Sequence, residues 1–456
     1  MSLETIAVTA PTSSASTDPW PRPFLAWYAI FIFALGLMMN FLDRGIVSLL
    51  VHPLEVDLHL NDAQIGYVTG FAYIAFYAVI GLPIARWADV GNRRNIVAAG
   101  VAVWSLATAF CGLATSFWQL FAARMAVGAG ESCNGPAVFS MISDLFPREQ
   151  LPRAIAVLNF GFIAGTGLAA LLGGVVIHLL SNTPSITFPL VGALHTWQMV
   201  FIAVGIPGLV ISLLMLTVKE PVRRGRTLTA AGKHTGVPLP EVGRFMKEHR
   251  GTYGPMFFGL GTNTIMAFGV LVWGAEYFRR TFHWEPADFA VASGLVVLVC
   301  APPGAMFGSW LAERFQRQGR DDANMRVVLL SMIFAFPGLL FTTLAPNAYV
   351  ALAITGYTQF VAMWVPGPMN AALQVVTPNQ MRATVTALFL FIFNIVGFGL
   401  GPSIVATITQ YVFHDPAMLR YAMATVITVL APLGIASIWL GLKAYGLAVA
   451  RARSWT

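Results

Sequence analysis

Arg124 and Glu131 could support acid–base chemistry inside a hydrophobic segment. Residues 124–136 read RMAVGAGESCNGP and lie within a long apolar stretch of the chain. On a helix, a spacing of seven residues places the two side chains within about 20° of one face and roughly 10 Å apart along the axis. A charge at bilayer depth costs roughly 2.5–3.5 kcal/mol. The pair therefore predicts a polar site that the protein uses.

Asp43 and Arg44, in the stretch NFLDRGIVSLL, add a second opposed pair in the first hydrophobic segment. Burial and a neighbouring arginine change the proton affinity of a carboxylate in opposite directions. An anionic substrate that reaches an arginine would loosen its hold on the carboxylate, so we expect Asp43, Glu131 and Arg124 to act in proton coupling. The alternative is a structural network that only joins helices, although buried ion pairs are a weak source of stability.

The composition indicates a membrane protein with many spans. Of the 456 residues, 57% are hydrophobic and 10% are charged, whereas a soluble chain has about 25% charged residues. The three cysteines fall in apolar segments, which favours buried thiols over disulfides. Residues 1–23 are polar and lack the basic start of a signal peptide, and the first apolar run is too long for a cleaved signal.

Twelve segments meet the length of about 20 mostly apolar residues that a membrane span needs. They lie near 24–51, 64–84, 94–114, 118–143, 153–180, 197–217, 254–278, 288–311, 326–344, 348–375, 383–411 and 419–446. The predicted fold is all-α, with two pseudo-symmetric six-helix bundles. Its parts are an N-terminal tail (1–23), a first bundle (24–218), a connector (219–253), a second bundle (254–446) and a C-terminal tail (447–456).

The distribution of basic residues predicts the orientation of the chain. With a cytoplasmic N-terminus, the cytoplasmic segments hold 22 of the 27 Lys and Arg residues. Three more (Arg279, Arg280, Arg420) fall in external loops, and Arg44 and Arg124 lie within spans. Positive charge collects on the cytoplasmic side of membrane proteins. We therefore expect both termini in the cytoplasm and the protein in the inner (plasma) membrane.

The two halves repeat a charged motif. ARWADVGNRRN (85–95) follows the second span, and SWLAERFQRQG (309–319) follows the eighth. An acid at a helix end followed by arginines could latch helices together on the cytoplasmic side, whereas the alternative is that the arginines only anchor the chain at the membrane surface. Recurrence in two halves favours the latch. The predicted cytoplasmic gate comprises Asp89, Arg93, Arg94, Glu313, Arg314 and Arg317.

Residues 81–94 resemble the loop motif of the major facilitator superfamily. Val90 stands where an arginine is usual, and Asn92 stands where a glycine is usual; asparagine there is similar to the spinster branch. The stretches NFLDRGIVSLL, GAGESCNGPAVFSMISDLFPRE and VTPNQMRATVTALFLFIFNIVGFGLGP are also similar to bacterial spinster homologues. Some organic-anion symporters share the first-span DR and the fourth-span R…GE. The resemblance extends from Phe24 to about Tyr445.

The resemblance implies a secondary active transporter that works by alternating access, with proton-coupling roles for Asp43, Arg124 and Glu131. The second half has no charge at mid-span and offers amides and aromatic rings instead. A charged half facing an amide-lined half suits an anionic amphiphile, such as a lysophospholipid or a sphingoid phosphate. The expected substrate-binding residues are Arg44, Arg124, Glu131, Asn263, Trp273, Asn370 and Asn394.

Two other functions remain open from the sequence: a small organic-anion/proton symporter of the same superfamily, and a membrane sensor or scaffold that transports nothing. The chain has no G-x-x-x-x-G-K-[ST] loop and no H-E-x-x-H motif, so neither ATP hydrolysis nor a zinc site is predicted. We expect a transporter rather than an enzyme, without cofactor or metal, whose partners are its substrate, protons and the lipid bilayer. We expect no nucleic-acid partner, and we expect a monomer.

Overall fold

The computed structural model describes residues 19–147, 150–181, 185–188, 192–223, 239–378 and 381–452, nearly all of them in helices. The first half contains helices α1 to α9 and one hairpin of strands. Their bounds are α1 Pro23–Leu49, α2 Val51–Leu58, α3 Asp62–Gly66, α4 Ala72–Val90, α5 Arg93–Cys111, α6 Phe117–Glu131, α7 Asn134–Leu145, α8 Leu151–Ser181, β1 Ser185–Phe188, β2 Gly192–His195 and α9 Thr196–Thr217.

The second half contains helices α10 to α18. Their bounds are α10 Leu239–Glu248, α11 Arg250–Phe282, α12 Pro286–Arg317, α13 Ala323–Thr343, α14 Ala348–Ala362, α15 Pro366–Val376, α16 Arg382–Asn394, α17 Gly401–Ile408 and α18 Leu419–Ala452. Short π-helical segments join several of them, namely Tyr67–Phe71, Ile395–Leu400 and Thr409–Phe413. A short 3-10 turn, Pro416–Met418, precedes α18.

The helices account for the twelve predicted spans. Ten helices of the described chain are long and apolar enough to cross a membrane. The fourth span is the broken pair α6 and α7, and the fifth is α8, whose apolar part within the described residues is Gly165–Leu180. The tenth span is also broken, between α14 and α15. The all-α architecture of the prediction is confirmed.

Polar side chains determine where several helices begin. Asn92, Ser116 and Asn347 each accept a hydrogen bond from a backbone N–H in the first turn that follows. Asn61 and Gln64 form a reciprocal capping box at the start of α3. Such caps satisfy N–H groups that have no partner within the helix. They therefore fix the register with which each span enters the bundle.

The bundle has two ends, which we name by what they carry. The hairpin face holds α2 and the antiparallel pair β1–β2. The connector face holds the described residues 218–223 and 239–249. It also holds the beginning of α1, whose Tyr28 hydroxyl lies 2.7 Å from Thr217 Oγ1. Three histidines with a left-handed backbone, His59, His283 and His414, end helices at the hairpin face. Histidine is among the few residues enriched in that conformation.

Glycines bring the two halves together toward the hairpin face. The Cα of Gly167 in α8 faces Leu298 of α12, so that a Cβ added there would lie 2.6 Å from Leu298 Cγ. Gly66 is equally close to Ala406 of α17, and Gly70 is close to the segment Ile395–Leu400 that joins α16 to α17. The Ser403 hydroxyl donates to the Gly66 carbonyl at 3.1 Å. Close backbone approach of this kind requires residues without side chains.

Helices extend beyond the bounds that the sequence predicts. Helix α11 begins at Arg250, inside the predicted connector, and continues to Phe282, so Arg279 and Arg280 lie in its last turns rather than in a loop. Within the connector, α10 packs Val242 against the core of the second half. Helix α18 continues to Ala452, into the predicted tail. Hydropathy marks only the apolar part of a helix, because polar turns continue it into the membrane surface.

Candidate functional site

Arg124 pairs with Asp43 across two helices in the interior of the first half. The Arg124 Nη1 atom donates to Asp43 Oδ2 at 3.0 Å. Both side chains are almost fully buried, with 2% and 3% of their surface exposed. Thr108 of α5 donates its hydroxyl hydrogen to Asp43 Oδ1, so the carboxylate is held from two sides. A charge-assisted pair with such support has a fixed geometry.

Glu131 pairs with Arg44, also across helices. Glu131 Oε2 accepts from Arg44 Nη2 at 2.7 Å and from Arg44 Nε at 2.9 Å. It also accepts from the Tyr73 hydroxyl at 2.6 Å. The Glu131 side chain is fully buried, whereas 13% of the Arg44 side chain is exposed. Arg44 is therefore the cation of this site that solvent or a substrate can reach.

The sequence spacing suggested that Arg124 and Glu131 act together on one helix, and the structure pairs each of them with the first span instead. Glycines on α6 make this possible. A Cβ at Gly128 would lie 2.0 Å from the Tyr73 carbonyl oxygen, and one at Gly130 would lie 2.6 Å from the Trp104 backbone nitrogen. Neighbouring backbones can therefore contact α6 closely enough for side chains to bond across them.

Two atoms of these pairs have no hydrogen-bond partner among the described residues. They are Glu131 Oε1 and Arg124 Nε, both buried. Unsatisfied buried polar atoms are rare in folded proteins and call for an explanation. A carboxylate oxygen without a partner can take a proton, and a guanidinium nitrogen can bind an anion. These two atoms are compatible with the roles in proton coupling and substrate binding that the sequence predicts, and both roles stay predictions.

The second half contacts this site through Phe398. The Arg44 guanidinium lies 4.6 Å from the centre of the Phe398 ring and 4.7 Å from the Tyr73 ring. Phe398 belongs to the π-helical segment Ile395–Leu400, where the extra residue per turn changes which side chains face inward. A cation over an aromatic face is attracted by about 0.5–2 kcal/mol. The Arg44–Glu131 pair is thus in contact with both halves.

The amides predicted in the second half differ in what they offer. Asn370 and Asn394 each donate the amide nitrogen to the carbonyl four residues earlier, at 2.9 and 2.8 Å. Their amide oxygens are the atoms left for a ligand. Asn263, on α11, is half-buried. Trp273 is fully buried, and its indole nitrogen donates to the Pro402 carbonyl at 3.0 Å, so we assign it to packing between α11 and α17.

The predicted gate in the first half joins helices of that half. Arg93 donates to Asp144 Oδ2 at 2.5 Å and to Glu220 Oε1 at 2.8 Å, and it is almost fully buried. The backbone N–H of Arg94 donates to Glu220 Oε2 at 2.8 Å. These bonds tie the start of α5 to the end of α7 and to the beginning of the connector. The side chain of Asp89 lies outside the described residues.

The repeat of the motif in the second half has a different structure. Glu313 and Arg317 form an exposed pair within α12 at 3.4 Å, and Arg314 lies over the Trp310 ring at 5.5 Å. An exposed pair of this kind contributes at most about 1 kcal/mol. The two copies of the motif are therefore similar in sequence, but their side chains make different contacts.

Sequence analysis missed Tyr73, Thr108 and Phe398. Tyr73 and Tyr77 lie four residues apart in the middle of the second span, away from the interfacial depth where tyrosine is common. That displacement is a signal that could have marked Tyr73. Thr108 and Phe398 have no comparable signal, because a hydroxyl or a ring on an apolar span is ordinary.

The chain is similar in sequence to a family of known proteins. The profile of the Major Facilitator Superfamily matches residues 33–402. An MFS-type efflux pump of Mycolicibacterium smegmatis is 24% identical over 96% of this chain and 98% of its own. Protein spinster homolog 1 of Xenopus tropicalis is 24% identical over 84% of this chain and 72% of its own.

A solved structure has the same fold. It is a bacterial homolog of the human lysosomal transporter spinster in an inward-facing, unoccupied conformation, with a TM-score of 0.73, 24% identity, and coverage of 94% of this chain and 98% of its own. The resemblance to spinster proteins that the motifs indicate is confirmed. With twelve spans in two halves and a family profile that covers most of its length, this chain belongs to the major facilitator superfamily.

Proposed function

We propose that the protein is a proton-coupled secondary active transporter of an anionic amphiphile, such as a lysophospholipid or a sphingoid phosphate. The observation that carries the proposal is the Arg44–Glu131 pair. Its cation is partly exposed, its carboxylate is fully buried, and one carboxylate oxygen has no partner among the described residues. Asp43 and Arg124 complete the proposed proton-coupling set.

The proposed coupling follows from competition for Arg44. An anionic head group that binds the guanidinium takes hydrogen bonds away from Glu131. A buried carboxylate that loses its cation is costly to keep ionised, so Glu131 takes up a proton on Oε1 or Oε2. The neutral acid and the bound anion then cross together as the two halves rock, and loss of the proton on the other side restores the pair and displaces the substrate.

An amphiphile is favoured by the surroundings of Arg44. Aromatic rings of Phe41, Tyr73 and Phe398 lie within 5.8 Å of its guanidinium. They offer apolar contact beside the cation, and the amide oxygens of Asn370 and Asn394 offer acceptors in the other half. Arg124 and Asn263 complete the proposed binding set. The name of the Mycolicibacterium relative suggests export, so the direction of transport is part of the test.

Uptake into vesicles tests the proposal. Purified protein is reconstituted into liposomes, and labelled lysophospholipid or sphingoid phosphate is followed with and without an imposed pH gradient. Wild-type protein should accumulate substrate only with the gradient. Glu131→Gln should lose this response and retain exchange at equal pH, because glutamine keeps the size of the side chain and cannot titrate. Glu248→Gln, at an exposed position of α10 outside the proposed site and gate, is the matched control.

Three results would contradict the proposal in different ways. Uptake indifferent to the gradient in the wild type removes proton coupling. Competition by short carboxylates and not by lysolipids identifies a small organic-anion symporter. Binding of lysolipid without flux in any direction identifies a sensor or scaffold.

For the conformational cycle, we propose that the connector face is cytoplasmic and carries a gate that includes Asp89, Arg93 and Arg94 in the first half and Glu313, Arg314 and Arg317 in the second. The buried bonds of Arg93 and the exposure of Arg317 support a gate that rearranges during the cycle. In the proposed rearrangement, the copy in the second half acquires new partners when the connector face closes.

A further inference from the structure

The hairpin face contains a buried ionic cluster centred on Arg280. Its guanidinium donates to Glu55 Oε1 at 2.7 Å, to Asp62 Oδ1 at 2.7 Å and to Glu276 Oε1 at 2.5 Å. It also donates to the Pro416 carbonyl at 3.0 Å. Only 7% of the Arg280 side chain is exposed. Five donors in a planar fork suit a residue that must hold several acceptors at once.

The cluster joins the two halves of the protein. Glu55 is on α2 and Asp62 is at the start of α3, both in the first half, whereas Glu276 and Arg280 are on α11 in the second. Among the described residues, the bonds of Arg280 to Glu55 and Asp62 are the ion pairs that cross between the halves. The two halves cannot separate at this face unless these bonds break.

We propose that Arg280 locks the hairpin face closed and that protonation of Glu55 stabilises the lock. The proposal deepens the proposed function and rests on it for the alternation between the two faces. With every group ionised, three carboxylates surround Arg280 and the neighbouring Arg279, so the cluster has one negative charge in excess. A single proton balances it.

The geometry assigns this proton to Glu55, because Asp62 accepts from both terminal nitrogens of Arg280 and Glu55 accepts from only one of them. Glu55 and Asp62 share the same Arg280 Nη2 atom, and their carboxyl groups are within hydrogen-bonding reach of each other. Two carboxyl groups so close are favoured when one is neutral and donates to the other. Burial, the bond to Asp62 and the charges of Glu276 and Asp62 raise the pKa of Glu55 to about 8, against the opposing effect of Arg280.

The other groups near Glu55 leave this assignment unchanged. Asp57, on the same helix, accepts from the Trp197 indole nitrogen at 2.6 Å and is 3.6 Å from His195 Nδ1. The pKa of His52 is lowered by burial and by Arg279, which favours the neutral ring while the hairpin face is closed. The charged groups that face Glu55 from α3 and α11 are Asp62, Glu276, Arg279 and Arg280.

The direction of the pH effect follows from the two pKa values. When the hairpin face opens, Glu55 meets water and its pKa returns toward the ordinary value of about 4.3. A raised pKa in the closed state means that closure is favoured at low pH and that this advantage is lost as the pH rises to about 8. Between about pH 4.3 and about pH 8, the ratio of closed to open protein falls about tenfold for each pH unit.

Distance measurements across the hairpin face test the lock. Spin labels are placed at Val56→Cys on α2 and Ala417→Cys before α18, both exposed, in a background without the native cysteines. Pulsed electron paramagnetic resonance then gives the distribution of distances between the two labels from pH 5 to pH 9. In the wild type, the long-distance population should grow as the pH rises. Arg280→Gln should show the long-distance population at every pH.

Glu55→Gln separates the lock from its proton. Glutamine imitates the neutral acid, so this variant should stay closed and lose the pH dependence, while Glu248→Gln, at an exposed position of α10, keeps the wild-type profile. An unchanged profile in Glu55→Gln overturns the proton assignment, and a closed face in Arg280→Gln overturns the lock. These distances need no substrate. Absence of gradient-driven uptake in the wild type would therefore refute the proposed function without affecting this measurement.

Discussion

At the residue scale, the central finding is that four ionisable side chains of the first half form two pairs across helices. Asp43 binds Arg124, and Glu131 binds Arg44. Breaking a buried pair by removing one partner costs about 3–5 kcal/mol, because it leaves a charge without compensation. The two arginines therefore differ in role. Arg124 is buried and bonds Asp43, whereas Arg44 is partly exposed. In the proposed cycle, Arg44 exchanges Glu131 for a substrate.

A double-mutant cycle on the free energy of unfolding distinguishes this pairing from one within α6. Asp43→Asn and Arg124→Gln should be coupled by more than about 1 kcal/mol, since they remove the two ends of one bond. Arg124→Gln and Glu131→Gln should be coupled less strongly, since the structure shows no bond between them. Unfolding in mixed micelles gives both values. Stronger coupling in the second cycle would contradict the crosswise arrangement.

Tyr73 should matter through its hydroxyl. Tyr73→Phe keeps the ring against Phe398 and removes the bonds of the hydroxyl with Glu131 Oε2 and Arg44. A hydrogen bond to a charged group contributes about 1.5–3 kcal/mol. We expect gradient-driven uptake to fall by about tenfold or more. Tyr77→Phe is the control, because Tyr77 stacks on Tyr73 at 5.7 Å without bonding the ion pair. Equal effects in both variants would contradict a specific role for the Tyr73 hydroxyl.

At the element scale, the second and eleventh spans are in close contact at the hairpin face through glycines. A Cβ at Gly70 would lie 2.8 Å from the Gly399 carbonyl oxygen and 2.9 Å from that of Phe398. Gly70 and Phe398 both belong to π-helical segments. These segments therefore form the surface along which the halves meet, next to the Arg44–Glu131 pair.

Gly70→Ala should open the hairpin face. The added methyl group meets backbone oxygens that cannot move aside, and overpacking of this kind costs about 1–3 kcal/mol. Because a cost of about 1.4 kcal/mol changes an equilibrium constant tenfold, the ratio of closed to open protein should fall roughly tenfold. The labels at Val56 and Ala417 report this as a longer distance. Gly45→Ala, whose Cβ would meet nothing within 4 Å, should leave the distribution unchanged, and a closed Gly70→Ala protein would contradict the prediction.

The sequence predicted the spans and the polar site well and the contacts of the gate poorly, for physical reasons. Hydropathy and charge report the environment of each residue, so Glu131 and Asp43 were identifiable from their cost in a bilayer. Which partner each one takes depends on backbone approach at glycines such as Gly128, which no local pattern encodes. Arg93 and Arg317 occupy similar motifs, yet one is buried among acids of its half and the other is exposed.

At the scale of the whole molecule, two ionic systems lie at different depths. The Arg44–Glu131 pair is in the interior and touches Phe398 of the second half, while the Arg280 cluster bonds the halves at the hairpin face. Between them, the glycine contacts of the second and eleventh spans hold the same face closed. A substrate that alters the first pair can therefore change the packing that supports the second.

The orientation of the molecule in the membrane decides which solution each system meets. With 22 of 27 basic residues in segments on the side of the termini, the positive-inside rule predicts a cytoplasmic connector face. In intact cells, an impermeant thiol reagent should therefore label Ala417→Cys and leave Arg317→Cys unlabelled, in a background without the native cysteines. Permeabilised cells should show both labels, because both positions are exposed. Labelling of Arg317→Cys in intact cells would reverse the assignment, and the Arg280 cluster would then respond to cytoplasmic pH.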